Sequence, residues 1–136
     1  MKVFICIDDN GGMLFNRRRQ SRDKRLIDDV CESVADGILY ISDFSEELFS
    51  ESDSSVIAVP CPLESAPRGS SAFIESPPLR VYLDKIDRLI IYRWNRRYLS
   101  DQKLDISPLD EGFKLIESVD FEGDAHDKIT KETYAR

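Results

Sequence analysis

Apolar positions fall into short blocks along the chain, and their spacing predicts the elements. KVFICI, Lys2–Ile7, is a continuous apolar run with β-branched and aromatic residues, and reads as a buried strand. Asp9-Asn10-Gly11-Gly12 breaks it with turn residues. Leu26, Ile27, Val30, Cys31 and Val34 then recur on one face of a helix. Ser21 is placed to cap that helix and Asp36-Gly37 to close it. GILYIS, residues 37–42, is the next strand, and 45–49 a short helix or turn. Residues 54–60 form a third strand, 61–71 a loop, and 72–75 a short strand. Leu79, Tyr82, Leu83 and Ile86 mark a helix over Pro78–Asp87, with proline in its first turn. RLIIYRW, residues 88–94, is a strong strand, and 95–110 a long loop. Two final strands, 113–121 and 128–134, meet at Glu122-Gly123-Asp124 as an antiparallel hairpin.

Strands that alternate with helices predict an α/β fold. Its central sheet is mostly parallel, with flanking helices and a C-terminal antiparallel hairpin. The 136 residues suit one domain spanning 1–136. No apolar run approaches the roughly 18 residues of a membrane span, and the opening residues read as a strand rather than a leader. Three cysteines, Cys6, Cys31 and Cys61, sit in apolar company without metal spacing. Reduced thiols and a cytoplasmic location are the expectation. The single histidine, His126, excludes multi-histidine metal sites, and no metal is expected. It lies in the polar stretch EGDAHDK and is expected at the surface. From spacing alone no Ser-His-Asp set can be argued. Tyr92 and Trp94 share one face of their strand and are expected in packing.

The net charge of −7 disfavours general nucleic-acid affinity. The cations are nevertheless concentrated at Arg17–Arg25 and Arg88–Arg97, two patches suited to a small anion. Basic residues at the start of a helix oppose its dipole, so the run either marks an anion nearby or is a solvated surface patch paired with Asp8, Asp9, Asp28 or Asp29. Asp23 stands three positions before Leu26 and four before Ile27, so it shares the inward face. It is either a carboxylate on the floor of a cleft or a helix-start acid with a satisfied hydrogen bond.

The order of these elements resembles dihydrofolate reductase, whose fold the RibD-type reductase domain shares. KVFICIDDNGGMLF is similar to that family's first strand and mobile loop, and GILYISDFSEELF to its second strand and turn. LDKIDRLIIYRWNRRYLSDQKLD resembles its late helix, strand and acidic loop. FKLIESVDFEGDAHDKITKETYAR resembles its closing hairpin, with Glu132 and Arg136 matching a Glu-x-x-x-Arg ending. The resemblance implies an NADPH cofactor and a pteridine-like substrate. Asp23 is then the catalytic, substrate-fixing carboxylate, and Phe15, Arg19, Arg22 and Leu26 surround the ligand. Three departures fall at the site. Met13-Leu14-Phe15 stands where the family has a tryptophan. Ser42-Asp43-Phe44-Ser45 replaces a basic, phosphate-holding segment. Glu75-Ser76-Pro77-Pro78 replaces a glycine pair that admits the cofactor pyrophosphate. These changes favour a non-catalytic or altered binder of a small ligand or protein partner over an NADPH-dependent reductase. A nucleic-acid accessory role for Arg17–Arg25 is a third reading, and a homo-oligomer is open to the hairpin edge.

Overall fold

The computed structural model describes residues 1–34, 37–52 and 55–136. Its strands are β1 (Lys2–Ile7), β2 (Gly12–Phe15), β3 (Arg18–Arg19), β4 (Ile38–Ile41), β5 (Ser55–Ala58), β6 (Ser71–Phe73), β7 (Arg88–Arg93), β8 (Gln102–Lys103), β9 (Lys114–Phe121) and β10 (Ile129–Ala135). The helices are α1 (Lys24–Val34) and the single turn α2 (Pro62–Ser65). Seven strands form one sheet in the order β5-β4-β6-β1-β7-β10-β9. Pairings from β5 to β7 are parallel, whereas β10 runs antiparallel to β7 and to β9. The expected sheet, mostly parallel with an antiparallel closing hairpin, is the observed one.

The alternation of side chains explains why β1 and β7 lie at its centre. Val3, Ile5, Ile7, Leu89 and Ile91 enter the core on one face of the sheet. Phe4, Ile90 and Tyr92 enter the core on the other, against Leu26, Ile27 and Val30 of α1. A strand buried on both faces must be apolar throughout, and only these two runs are long enough to be so. Leu63 of α2 and the loop residues Leu79, Ile106 and Phe113 cover the face opposite α1. Tyr92 and Trp94 are buried, as their shared face anticipates.

Several expectations are corrected by packing. The helix expected over Pro78–Asp87 is a 3₁₀ segment, Arg80–Lys85. Leu79 and Ile86 still face the core, but this short stretch has no room for regular α turns. Asp23, not Ser21, caps α1: its Oδ1 accepts the N–H groups of Arg25 and Leu26 at 3.0 and 3.3 Å. Asp36, expected to help close that helix, lies outside the described residues, as do two residues near the start of β5. The loop expected over 95–110 contributes β8 to a second sheet, β3-β2-β8. There Arg17 and Arg18 are not at a helix start. Asn16 and Arg17, at φ 52° and 62°, make the tight turn between β2 and β3. No helix among the described residues is long and apolar enough to cross a membrane.

Ile91 is fully buried at the middle of β7, between Ile5 of β1 and Glu132 of β10. Ile91→Ala is expected to lower unfolding free energy by about 2–5 kcal/mol in urea titrations, with the slope unchanged.

Candidate functional site

The ends of β1 and β7, the start of α1 and the β9–β10 connection converge at one edge of the sheet. Asp23 is the centre of that convergence. Besides capping α1, its carboxylate accepts the N–H groups of Asp124 at 2.9 Å and Ala125 at 2.8 Å. Its Oδ2 also lies 2.8 Å from Nδ1 of His126. Gly123 makes this approach possible, because a Cβ there would lie 2.5 Å from Asp23 Oδ2. Burial pushes the Asp23 carboxyl up, but the N–H groups of Asp124 and Ala125 and the imidazole outweigh it. The group is held below its ordinary value of 3.8.

His126 is therefore not a surface residue. It is 6% exposed and stacks on Trp94, with ring centroids 4.6 Å apart. Its Nε2 lies 2.9 Å from Ser21 Oγ and 3.2 Å from the Tyr98 hydroxyl. Polar neighbours in sequence suggested exposure, yet a carboxylate 103 residues away draws the ring inward. Asp8, at the end of β1, is a second buried carboxylate. It accepts the N–H groups of Gly12, Asn10 and Tyr98 and the amide of Gln20. Its negative charge fixes the loops around the same edge.

Beside this network a cleft opens over Leu26, Phe73 and Trp94. Its free volume is about 20 Å³, room for one water. Arg19 and Glu75 narrow it. Arg19 Nε donates to Glu75 Oε1 at 2.9 Å, and Nη2 to Oε2 at 3.1 Å. Nη1 pairs with Glu47, Nη2 also reaches the carbonyl of Phe44, and the guanidinium lies 4.5 Å over the Phe44 ring. Ser45 donates to Glu75 Oε2 at 2.6 Å. Cys6 also lines the cleft, with its thiol pushed well up by burial and then by the Glu75 and Asp23 carboxylates. It is therefore a neutral lining group rather than a thiolate. A larger hollow of about 230 Å³ adjoins the cleft and shares Arg22, Asp23, Ile27 and Leu48 with it.

No protein-family model matches the sequence, and comparison with curated proteins finds no match. The structure is similar to dihydrofolate reductase from Enterococcus faecalis, solved in complex with NADP(H) and RAB-propyl. The TM-score is 0.66 at 12% sequence identity, covering 99% of this chain and 95% of that one. The chain has the dihydrofolate reductase fold.

Within that fold, four of the five residues named from the sequence come together. Asp23, Arg19, Arg22 and Leu26 all line the cleft. Phe15 does not: it sits at the β2 end beside the tight turn, 42% exposed. Gln20, Ser21 and Trp94 line the cleft without having been singled out for it. Only strand alternation pointed at Trp94, and no local signal marks the other two. The Oε1 atom of Gln20 is buried without a hydrogen-bond partner among the described residues, while its Nε2 is committed to Asp8 and the Leu99 carbonyl.

Two expected outcomes follow from Asp23. Its depressed pKa contributes stability that is fully present above its ordinary value and is lost as pH falls through the lower folded value. Urea unfolding should thus be insensitive to pH near neutrality and weaken steeply below about pH 4. Asp23→Asn keeps the shape but sets an amide against the connection's N–H groups. It should cost about 3 kcal/mol at pH 7, and the gap to wild type should narrow in acid.

Proposed function

We propose that the protein binds a small organic ligand in the hollow of about 230 Å³ between α1 and the 3₁₀ segment Asp43–Leu48 and over the cleft that adjoins it, and does not act as an NADPH-dependent reductase. The observation that carries this reading is the carboxylate of Glu75, held by Arg19 and Ser45. The resemblance assigns the cofactor phosphates to two segments, Ser42–Ser45 and Glu75–Pro78. In this chain those segments meet each other through the Ser45–Glu75 hydrogen bond. A pyrophosphate arriving there would face an acid already paired. It would also lose two donors, since Pro77 and Pro78 carry no N–H. Arg19 reaches both segments, but its donors are taken by Glu75, Glu47 and the Phe44 carbonyl. The residues present do not fit NADP(H).

A ligand of different charge fits the same lining better. The floor is apolar and aromatic. A flat, uncharged molecule seated in the hollow would cover the cleft floor at Leu26 and Trp94 without disturbing the Arg19–Glu75 pair. Asp23 then acts through position. Its carboxylate is committed to α1, the connection and His126, and it holds the cleft wall in place. Arg22 and Leu26 contact the ligand directly, and Arg19 gates the mouth with Glu75. The neighbour's complex with NADP(H) shows what that protein binds, and the changes above redirect this one.

Calorimetric titration tests the proposal. NADPH is expected to give no binding heat and no thermal shift at millimolar concentration, whereas an aromatic N–H donor such as a pteridine raises the melting temperature. Micromolar NADPH binding would overturn the reading.

A further inference from the structure

The fold assembles a carboxylate, an imidazole and a hydroxyl in line at the wall of the cleft, and ligand binding alone uses none of that order. We propose that Ser21 is a nucleophile, activated by His126 and oriented through Asp23, that accepts the acyl group of small carboxylic esters. Asp23 has a wholly buried side chain whose oxygens are fixed by four backbone N–H groups. Its Oδ2 accepts a hydrogen bond from the Nδ1–H of His126 at 2.8 Å. That bond selects the tautomer whose Nε2 carries a lone pair. Trp94, stacked on the ring, fixes its plane. The lone pair then faces Ser21 Oγ at 2.9 Å, within reach for proton transfer. A nucleophile bonded to a base, with the base held by a third group, is the arrangement that activates a hydroxyl.

Ser21 is half-buried and lines the cleft, so its oxygen borders space an acyl group can enter. Arg22 lines the same wall and makes no ion pair among the described residues. It supplies a positive charge for the oxyanion that forms on attack. The Tyr98 hydroxyl also reaches Nε2, but at the longer distance of 3.2 Å. It offers a second hydrogen bond to the same nitrogen and lies outside the residues lining the cleft. The small free volume restricts the acyl group to a short one.

In the first step Oγ bonds to the ester carbonyl carbon while its proton passes to Nε2. The bond to the alcohol breaks, and the leaving oxygen takes that proton. Water then adds to the acyl-serine, gives a proton to Nε2, and the bond to Oγ breaks as Oγ recovers the proton. Ester and water are the only reactants consumed.

The test uses the full chain with a biotinylated fluorophosphonate and with p-nitrophenyl acetate. Peptide mass spectrometry is expected to locate the phosphonate on Ser21. Ester hydrolysis should fall by about 100-fold in Ser21→Ala and in His126→Gln, with melting curves of Ser21→Ala like wild type. Ser21→Cys should restore a burst of p-nitrophenolate. Absence of phosphonate on Ser21 would overturn the proposal. So would hydrolysis that survives in Ser21→Ala, because the imidazole would then be acting alone. NADPH and pteridine binding are independent of either result.

Discussion

The Asp23 carboxylate is the constraint on which this edge of the molecule depends. A buried carboxylate is costly unless every lone pair is used, and here the partners come from distant parts of the chain. Two donors belong to the first turn of α1, two to the β9–β10 connection, and one to His126. One charge therefore fixes the position of a helix, a loop and a ring together. Gly123 is bound to the same requirement, since any side chain there would strike the carboxylate. His126 in turn holds Trp94 on one side and reaches Ser21 and Tyr98 on another. Loosening Asp23 would release the whole wall of the cleft at once.

Arg19 and Glu75 impose the second constraint, and it runs across the cleft rather than along its wall. Both side chains are mostly shielded, at 13% and 11% exposure, so their attraction is stronger than that of a surface pair. The planar guanidinium meets the carboxylate at two points, an arrangement lysine could not reproduce. Any ligand that enters must either leave this pair intact or replace its hydrogen bonds. An anionic ligand would compete with Glu75 for Arg19, and a cationic one with Arg19 for Glu75. A neutral molecule disturbs neither.

The sheet was legible in the sequence because its signal is local. Continuous apolar residues mark β1 and β7, and Leu26, Ile27 and Val30 mark α1 by their period. Short elements were not. β3 and β8 have two residues each and carry no periodicity, and the segment Arg80–Lys85 has a helical pattern too short to choose between α and 3₁₀ turns. At the site, the inward direction of Asp23 followed from its spacing, whereas the character of His126 did not. Glycine, aspartate and lysine around the histidine suggest a solvated loop. What buries the ring is a partner on another element, and such pairing is invisible in one chain read locally.

The separation between fold and chemistry has a physical basis in these same residues. The central strands require only apolar side chains of suitable volume, and many sequences satisfy that. A likeness in structure at 12% identity is the natural result. A polar site is less forgiving, because each buried donor or acceptor needs a specific partner at a specific distance. Once Glu75 stands where the resemblance places glycine, a cation must follow it inward, and Arg19 does so from the β2–β3 hairpin. Once Arg19 is drawn in, Glu47 and the Phe44 ring gain a role in holding it. The changes near the cleft are thus coupled to one another rather than independent losses. They place one arginine between two carboxylates in a region that the resemblance assigns to phosphate, while Asp23 and His126 keep the opposite wall in register.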